Sequence, residues 1–246
     1  LSGIVVLMFA GHYSYFGVPD ITALPLQDYP FIIVASLICG LLGGLFSFFL
    51  VEGSRAVGPL VLKQPLVVAM VIGLLLAVMG LLSDGATMGS GYVEAKALLA
   101  MEAEGSWWTA FGRVIATMIT YFSGIPGGIF SPSLAAGAEF GASMSSLFPS
   151  VPPVSLILVG MASYFAGVVQ RPITAFVIVL ELTGNNHDIL PVLMVSALAA
   201  TVVSKLVMPE PVYHVLAKDL VRSWEHLLKE KRNDSEDADS LPTNKS

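Results

Sequence analysis

The sequence predicts an all-α, polytopic integral membrane protein whose helices are broken and re-entrant, and three observations lead there. The chain is 55% hydrophobic and only 12% charged, with a mean hydropathy of +0.78. Several apolar runs, among them Phe31 to Val51, Pro65 to Leu82 and Ile189 to Val207, are of bilayer length. Between them lie shorter apolar segments interrupted at Tyr121-Phe-Ser-Gly-Ile-Pro-Gly-Gly-Ile-Phe-Ser-Pro-Ser-Leu134 and at Gln170-Arg-Pro172, the pattern of discontinuous membrane helices.

Taken in order, the chain opens at Leu1 within an apolar run, Gly3 to Ala10, that is too short to span and lacks the basic region of a signal peptide. It reads as the end of a transmembrane helix in a longer polypeptide. With the loop from Gly11 to Asp28, which has no Lys or Arg and is assigned to the external side, it makes a first unit of residues 1–28. Phe31 to Val51 is a full span, and Gly40, Gly43 and Gly44 give it a smooth face for close packing, against a partner subunit or within the chain. The segment Glu52 to Gln64, with Arg55 and Lys63, is expected to be a cytoplasmic loop. Pro65 to Leu82 crosses again. The stretch from Asp84 to Glu104 sets Asp84, Glu94, Glu102 and Glu104 against Lys96 and fits the external face, and Trp107 and Trp108 fit an interfacial belt.

Thr109 to Phe122 is apolar apart from Arg113 and short for a span, so it is expected to end inside the membrane. Ser131 and Pro132 then open a helix from Phe130 to Leu147, with proline where its missing N–H costs nothing. Phe148-Pro-Ser-Val-Pro-Pro153 ends it. Ser155 to Val169 and Ile173 to Leu182 flank the second break, Thr183 to Asp188 is a polar turn, and Ile189 to Val207 crosses once more. Residues 29–222 are thus the transmembrane domain. The basic residues after Lys205, among them Lys218, Arg222, Lys229 and Lys231, place the carboxyl end in the cytoplasm, and residues 223–246 read as a disordered tail. Its acids, Asp234, Glu236, Asp237 and Asp239, account for much of the net charge of −6, and no nucleic-acid partner is expected.

A break at membrane depth exposes backbone groups, which is tolerated only where they face protein or a water-filled cavity. Gly124, Gly127, Gly128, Pro126 and Pro132 make such a break, and the free N–H groups of the helix that follows attract anions. The stretch therefore reads as an anion site made of backbone. Catalysis finds no footing. His12, His187, His214 and His226 do not pair with Cys, Asp or Glu at metal-ligand spacing, and there is neither a nucleophile elbow nor a phosphate loop. The single cysteine, Cys39, lies in an apolar segment and supports no disulfide framework. The charges closest to the membrane interior are Arg113, Glu139, Arg171 and Glu181. Arg171 and Glu181 fit the two ends of one short helix, whereas no argument from the residues assigns Glu139 a role.

Ser123-Gly-Ile-Pro-Gly-Gly-Ile-Phe-Ser-Pro-Ser-Leu134 resembles the second signature of the CLC chloride channel and transporter family, whose core is Gly-Ile-Phe-x-Pro. Gly160-Met-Ala, then Pro172-Ile-Thr and Glu181-Leu-Thr, resemble the family's next block in the same order, and Tyr213 follows the last span at the spacing of the family's anion-binding tyrosine. The resemblance runs from about Leu1 to Val221. It implies the second inverted repeat of a CLC-type fold, in a homodimer with a pore in each subunit. By position, the N–H groups of Ile129 and Phe130 and the hydroxyl of Tyr213 would hold the anion, supported by Gly127, Gly128, Ser131 and Pro132. Chloride would be the substrate, with no cofactor and no metal, and protons a possible second cargo. The family's first repeat, with its serine signature and its gating and proton-relay glutamates, is expected upstream, so channel and exchanger are not separated by these residues. The subunit contact would use Phe31 to Val51 and the spans on either side of Thr183 to Asp188. The alternative is a cation-coupled secondary transporter of an organic anion, which acidic or amide side chains beside the break would favour; the break has none before Glu139. A membrane scaffold would instead show continuous spans.

Overall fold

The computed structural model describes residues 14–221 apart from positions 20, 22, 23 and 126. The opening run from Gly3 to Ala10, His12, His226 and the acidic tail lie outside the described residues. The elements are α1 (Tyr29–Lys63), α2 (Pro65–Leu82), α3 (Tyr92–Leu99), α4 (Trp107–Phe122), α5 (Phe130–Met144), α6 (Pro153–Val169), α7 (Pro172–Leu182) and α8 (Leu190–Val207). A last helix, α9, follows over residues 212–221. Proline occupies the first or second position of α1, α2, α6, α7 and α8, where the helix end would leave that N–H unpaired in any case. By length and composition, Leu26–Lys63, Pro65–Leu82 and His187–Val207 are long and apolar enough to cross a membrane.

One expectation is corrected here. The segment from Glu52 to Gln64 is not a loop, because α1 continues through it to Lys63, with Pro59 inside the helix. Its polar residues support the helix locally. Arg55 Nη1 donates to Glu52 Oε1 at 2.8 Å one turn away, and Ser54 Oγ donates to the Leu50 carbonyl at 2.7 Å. The loss of hydropathy therefore does not mark the end of α1. The actual break is at Gln64, whose N–H closes on the Leu60 carbonyl at 2.9 Å before Pro65 starts α2.

The acidic stretch holds a helix that hydropathy did not mark. In α3, Ala95, Leu98 and Leu99 are buried at one-turn spacing, and this face packs on α5. Gly91 precedes it at φ 74°, a conformation open to glycine without strain.

The centre of the molecule is α6, where every residue from Ser155 to Val169 is buried. It packs against α5, α1, α8 and α7. Backbone approaches backbone here. A Cβ at Gly137 would stand 2.6 Å from the Gly160 carbonyl oxygen of α6, and one at Gly167 would stand 2.6 Å from that of Gly40 on α1. Between the two uses the sequence allowed for Gly40, Gly43 and Gly44, the fold takes the internal one: these residues meet Ala200, Tyr164 and Ser204 of the same chain. Small residues at such crossings allow the close dispersion contact that holds membrane helices together. Ser47 Oγ adds a hydrogen bond to the Val168 carbonyl at 3.2 Å, and Cys39 is buried and free.

Candidate functional site

The site begins where α4 stops. Ser123 N–H and Oγ both donate to the Thr120 carbonyl, at 3.2 and 2.7 Å, and Ser123 Oγ accepts from Ile125 N–H at 3.2 Å. Gly124 then turns the chain at φ 75°. Gly127 and Gly128 are exposed, and a Cβ on either would meet nothing within 4 Å, so the space before them is open. Ile129, 2% exposed, anchors the far side of the break in the core.

From Phe130 the chain is helical again, and no side chain caps this end of α5. Ser131 Oγ turns away to the Ser90 carbonyl at 3.2 Å, and Ser133 Oγ donates back to the Ile129 carbonyl at 2.6 Å. The N–H groups at the start of α5 are thus left without a side-chain acceptor, at the positive end of the helix dipole. A cavity of about 500 Å³ lies there, whose walls include Gly127, Gly128, Ile129, Phe130, Ser131 and Pro132 together with the hydroxyl-bearing Thr87, Ser90, Thr117, Thr120 and Tyr121.

Tyr213 lies in a second cavity of about 290 Å³, whose walls include Phe130, Phe165, Val169, Arg171 and His214. Phe130 belongs to both cavities, and its ring meets that of Phe165 edge to face at 4.7 Å. The fold thus places six of the seven residues singled out from the sequence on the first cavity, whereas Tyr213 lines the second, which shares Phe130 with the first. The Tyr213 residue is 49% exposed in α9. Its phenol is neutral at pH 7 and able to donate.

Gln170, part of the second break in the sequence, ties these parts together. It sits at φ 53° between α6 and α7, and its buried side-chain amide donates to the Met208 carbonyl at 2.5 Å and to Ser204 Oγ at 3.3 Å. The break at α7 is thereby fastened to the segment that leads into α9 and Tyr213. Only its left-handed backbone was in principle legible, as a non-glycine ending a helix before Arg-Pro.

The intramembrane charges separate into two groups. Arg171 and Glu181 do stand at the two ends of α7, both exposed. Arg113 and Glu139 are buried, at 1% and 4% exposure. Thr109 Oγ1 donates to Glu139 Oε2 at 2.9 Å across α4 and α5. Arg113 Nη2 donates to the Ala86 carbonyl and lies 3.5 Å from Glu94 Oε2 of α3. The pairing of a single Arg in α4 with an acid from the polar stretch before it has no sequence signature, since it crosses elements. Among the histidines, His187 lies in the turn before α8, and His214 faces Glu210 at 3.8 Å.

Comparison with known proteins bears on this arrangement. Residues 1–205 match the family described as voltage gated chloride channel. The H(+)/Cl(−) exchange transporter ClcA of Vibrio campbellii is 42% identical over 111 residues, 43% of this chain and 24% of that protein. The protein of the same name from Klebsiella pneumoniae is 28% identical over 231 residues, 88% of this chain and 48% of that protein. The chain therefore spans half or less of the length of these relatives. The crystal structure of a slow cyanobacterial Cl−/H+ antiporter superposes with a TM-score of 0.74 at 26% identity, over 89% of this chain and 53% of that one. A CLC-type fluoride/proton antiporter gives 0.70 at 24% identity, over 81% and 49%, a likeness of fold alone.

Proposed function

Because the chain belongs to the voltage-gated chloride channel family, we propose that it carries chloride or a similar small anion across the membrane by exchange with protons. The anion is held by the backbone N–H groups of Ile129 and Phe130 and the hydroxyl of Tyr213, with Gly127, Gly128, Ser131 and Pro132 shaping the approach. The observation that carries this reading is the uncapped start of α5, opening on a cavity of about 500 Å³.

An anion leaving water needs donors in place of its hydration shell, and here they are neutral. Amide and phenol dipoles favour entry without the grip of a fixed charge, which would oppose release. The glycines keep the approach free of side chains. Exchange is preferred over a channel because both of these relatives are named H(+)/Cl(−) exchange transporters. The gating and relay carboxylates are assigned to the family's first repeat, and residues 29–222 to the second repeat with the span before it and the final helix. The carboxyl end is assigned to the cytoplasm. Apolar side chains exposed on α1 and α8, such as Phe49, Leu198 and Val202, suit contact with lipid and with a second subunit in a homodimer. Transport of an organic anion with a cation gains no support, since the described walls of the first cavity offer hydroxyls but no carboxylate for a cation.

The test is the full-length protein in liposomes under an inward chloride gradient, with chloride and external pH recorded together. Opposed proton movement against its own gradient is expected. Chloride flux without a proton signal would make it a channel, and no chloride flux would end the proposal.

A further inference from the structure

Arg171 is the one wall residue of the Tyr213 cavity, among those described, that carries a permanent charge. No ion pair joins it to a described carboxylate, in contrast to Arg55, Arg113 and Lys218. Its place is not left to the flexibility of a loop. Gln170 before it is fixed by the bond to Met208 and Pro172 after it starts α7, while the Arg171 carbonyl accepts from Ala175 N–H at 3.0 Å. The same bond to Met208 anchors the segment from which Pro211 and Tyr213 reach the wall of the same cavity. One polar contact therefore ties together the two segments that bring Arg171 and Tyr213 to the wall of one cavity of about 290 Å³.

The remaining walls are largely apolar, with Phe130, Phe165, Val169 and Ile178. A charge beside low-dielectric walls has its field focused into the space between them, which raises the local concentration of the opposite sign. Arg171 is itself exposed and keeps its hydration, so it attracts without holding tightly.

We propose that Arg171 is an anion-recruiting residue, whose guanidinium at the rim of the cavity closed by Phe130 and Tyr213 concentrates the small monovalent cargo in front of its binding groups. The inference rests on the assignment of Phe130 and Tyr213 to the anion site. It divides the work between a charge at the entrance and neutral donors at the centre. Recruitment and release are then set by different groups. His214 shares the wall, but faces Glu210 at 3.8 Å.

The experiment measures chloride transport by the full-length protein in liposomes, with chloride varied on each side in turn, at low and at high ionic strength set by potassium gluconate. Arg171→Gln removes the charge and keeps the backbone bond to Ala175; Arg171→Lys keeps the charge and changes the shape. At low ionic strength the Gln variant should need about threefold more chloride for half-saturation, on one side only, the size of a unit charge acting through roughly 7 Å of water. Its saturated rate should be unchanged, high ionic strength should erase the difference, and the Lys variant should follow the wild type. Wild-type half-saturation in the Gln variant at low ionic strength overturns the proposal, and so does a Lys variant as impaired as Gln. Anomalous density from bromide-soaked crystals of the wild type separates the two readings: no bromide at Ile129 and Phe130 removes the site itself, whereas bromide there with an indifferent Gln variant removes only the recruiting role.

Discussion

The side-chain amide of Gln170 and the carbonyl of Met208 meet at 2.5 Å, joining the break after α6 to the segment before α9. Ser204 Oγ completes the junction, accepting from Gln170 and donating to the Gly167 carbonyl. The carboxyl ends of α6 and α8 thus share one polar node.

Replacing Gln170 by Leu leaves the Met208 carbonyl buried without this donor. A loss of about 1–3 kcal/mol is expected, the cost of an unsatisfied buried polar group. Thermal unfolding in detergent would measure it. Chloride affinity by calorimetry should fall as well, because Tyr213 loses its anchor; unchanged affinity would show that α9 is held elsewhere.

Removal of one hydroxyl tests the site directly. Tyr213→Phe keeps the ring and takes away the donor, and a hydrogen bond to a charged group contributes about 1.5–3 kcal/mol. Chloride binding should therefore weaken by at least tenfold in calorimetric titration, while the melting temperature stays near that of the wild type.

Glycine positions give opposite outcomes according to their neighbours. Gly137→Ala forces a methyl against the Gly160 carbonyl at 2.6 Å, backbone against backbone, and should cost about 1–3 kcal/mol as overpacking does. Gly73 lies inside α2 with nothing within 4 Å of its added Cβ. There alanine should stabilise by about 0.5–1 kcal/mol through helix propensity. Detergent melting curves of the two variants check both signs.

Between Thr109 and Glu139 the donor is a hydroxyl at 2.9 Å to a carboxylate that is 4% exposed. Thr109→Val should destabilise by about 1–3 kcal/mol, and the effect should shrink when Glu139 is already Gln, since coupling between contacting residues is what a double-mutant cycle isolates. Equal losses in both backgrounds would show that the contact contributes nothing.

Residues 121–134 were legible in the sequence for a local reason. Glycine and proline act on their own φ and on the bonds of their own turn, so a cluster of them inside apolar sequence announces a break wherever it occurs. The helix from Phe130 and the second break at Arg171-Pro172 followed in the same way and lie where expected. The loop assigned to residues 52–64 failed because positive charge reports on the membrane boundary, and a helix is free to run past it. Helix α3 went unseen because its polar face outweighs three buried apolar residues in an average taken along the chain.

Composition and punctuation by themselves determined that this chain is a helical membrane protein, where its helices break, and which residues stand at the uncapped helix start. Those properties depend on burial in lipid and on single-residue backbone preference, both of which act over a turn or two. Tertiary structure alone decided that the glycines of α1 face Tyr164 and Ala200, that Glu139 meets Thr109, and that Gln170 brings Arg171 and Tyr213 to one cavity. Each joins residues from separate helices, and such pairs exist only once the helices have packed ridge into groove at a particular crossing, a geometry that no local pattern encodes.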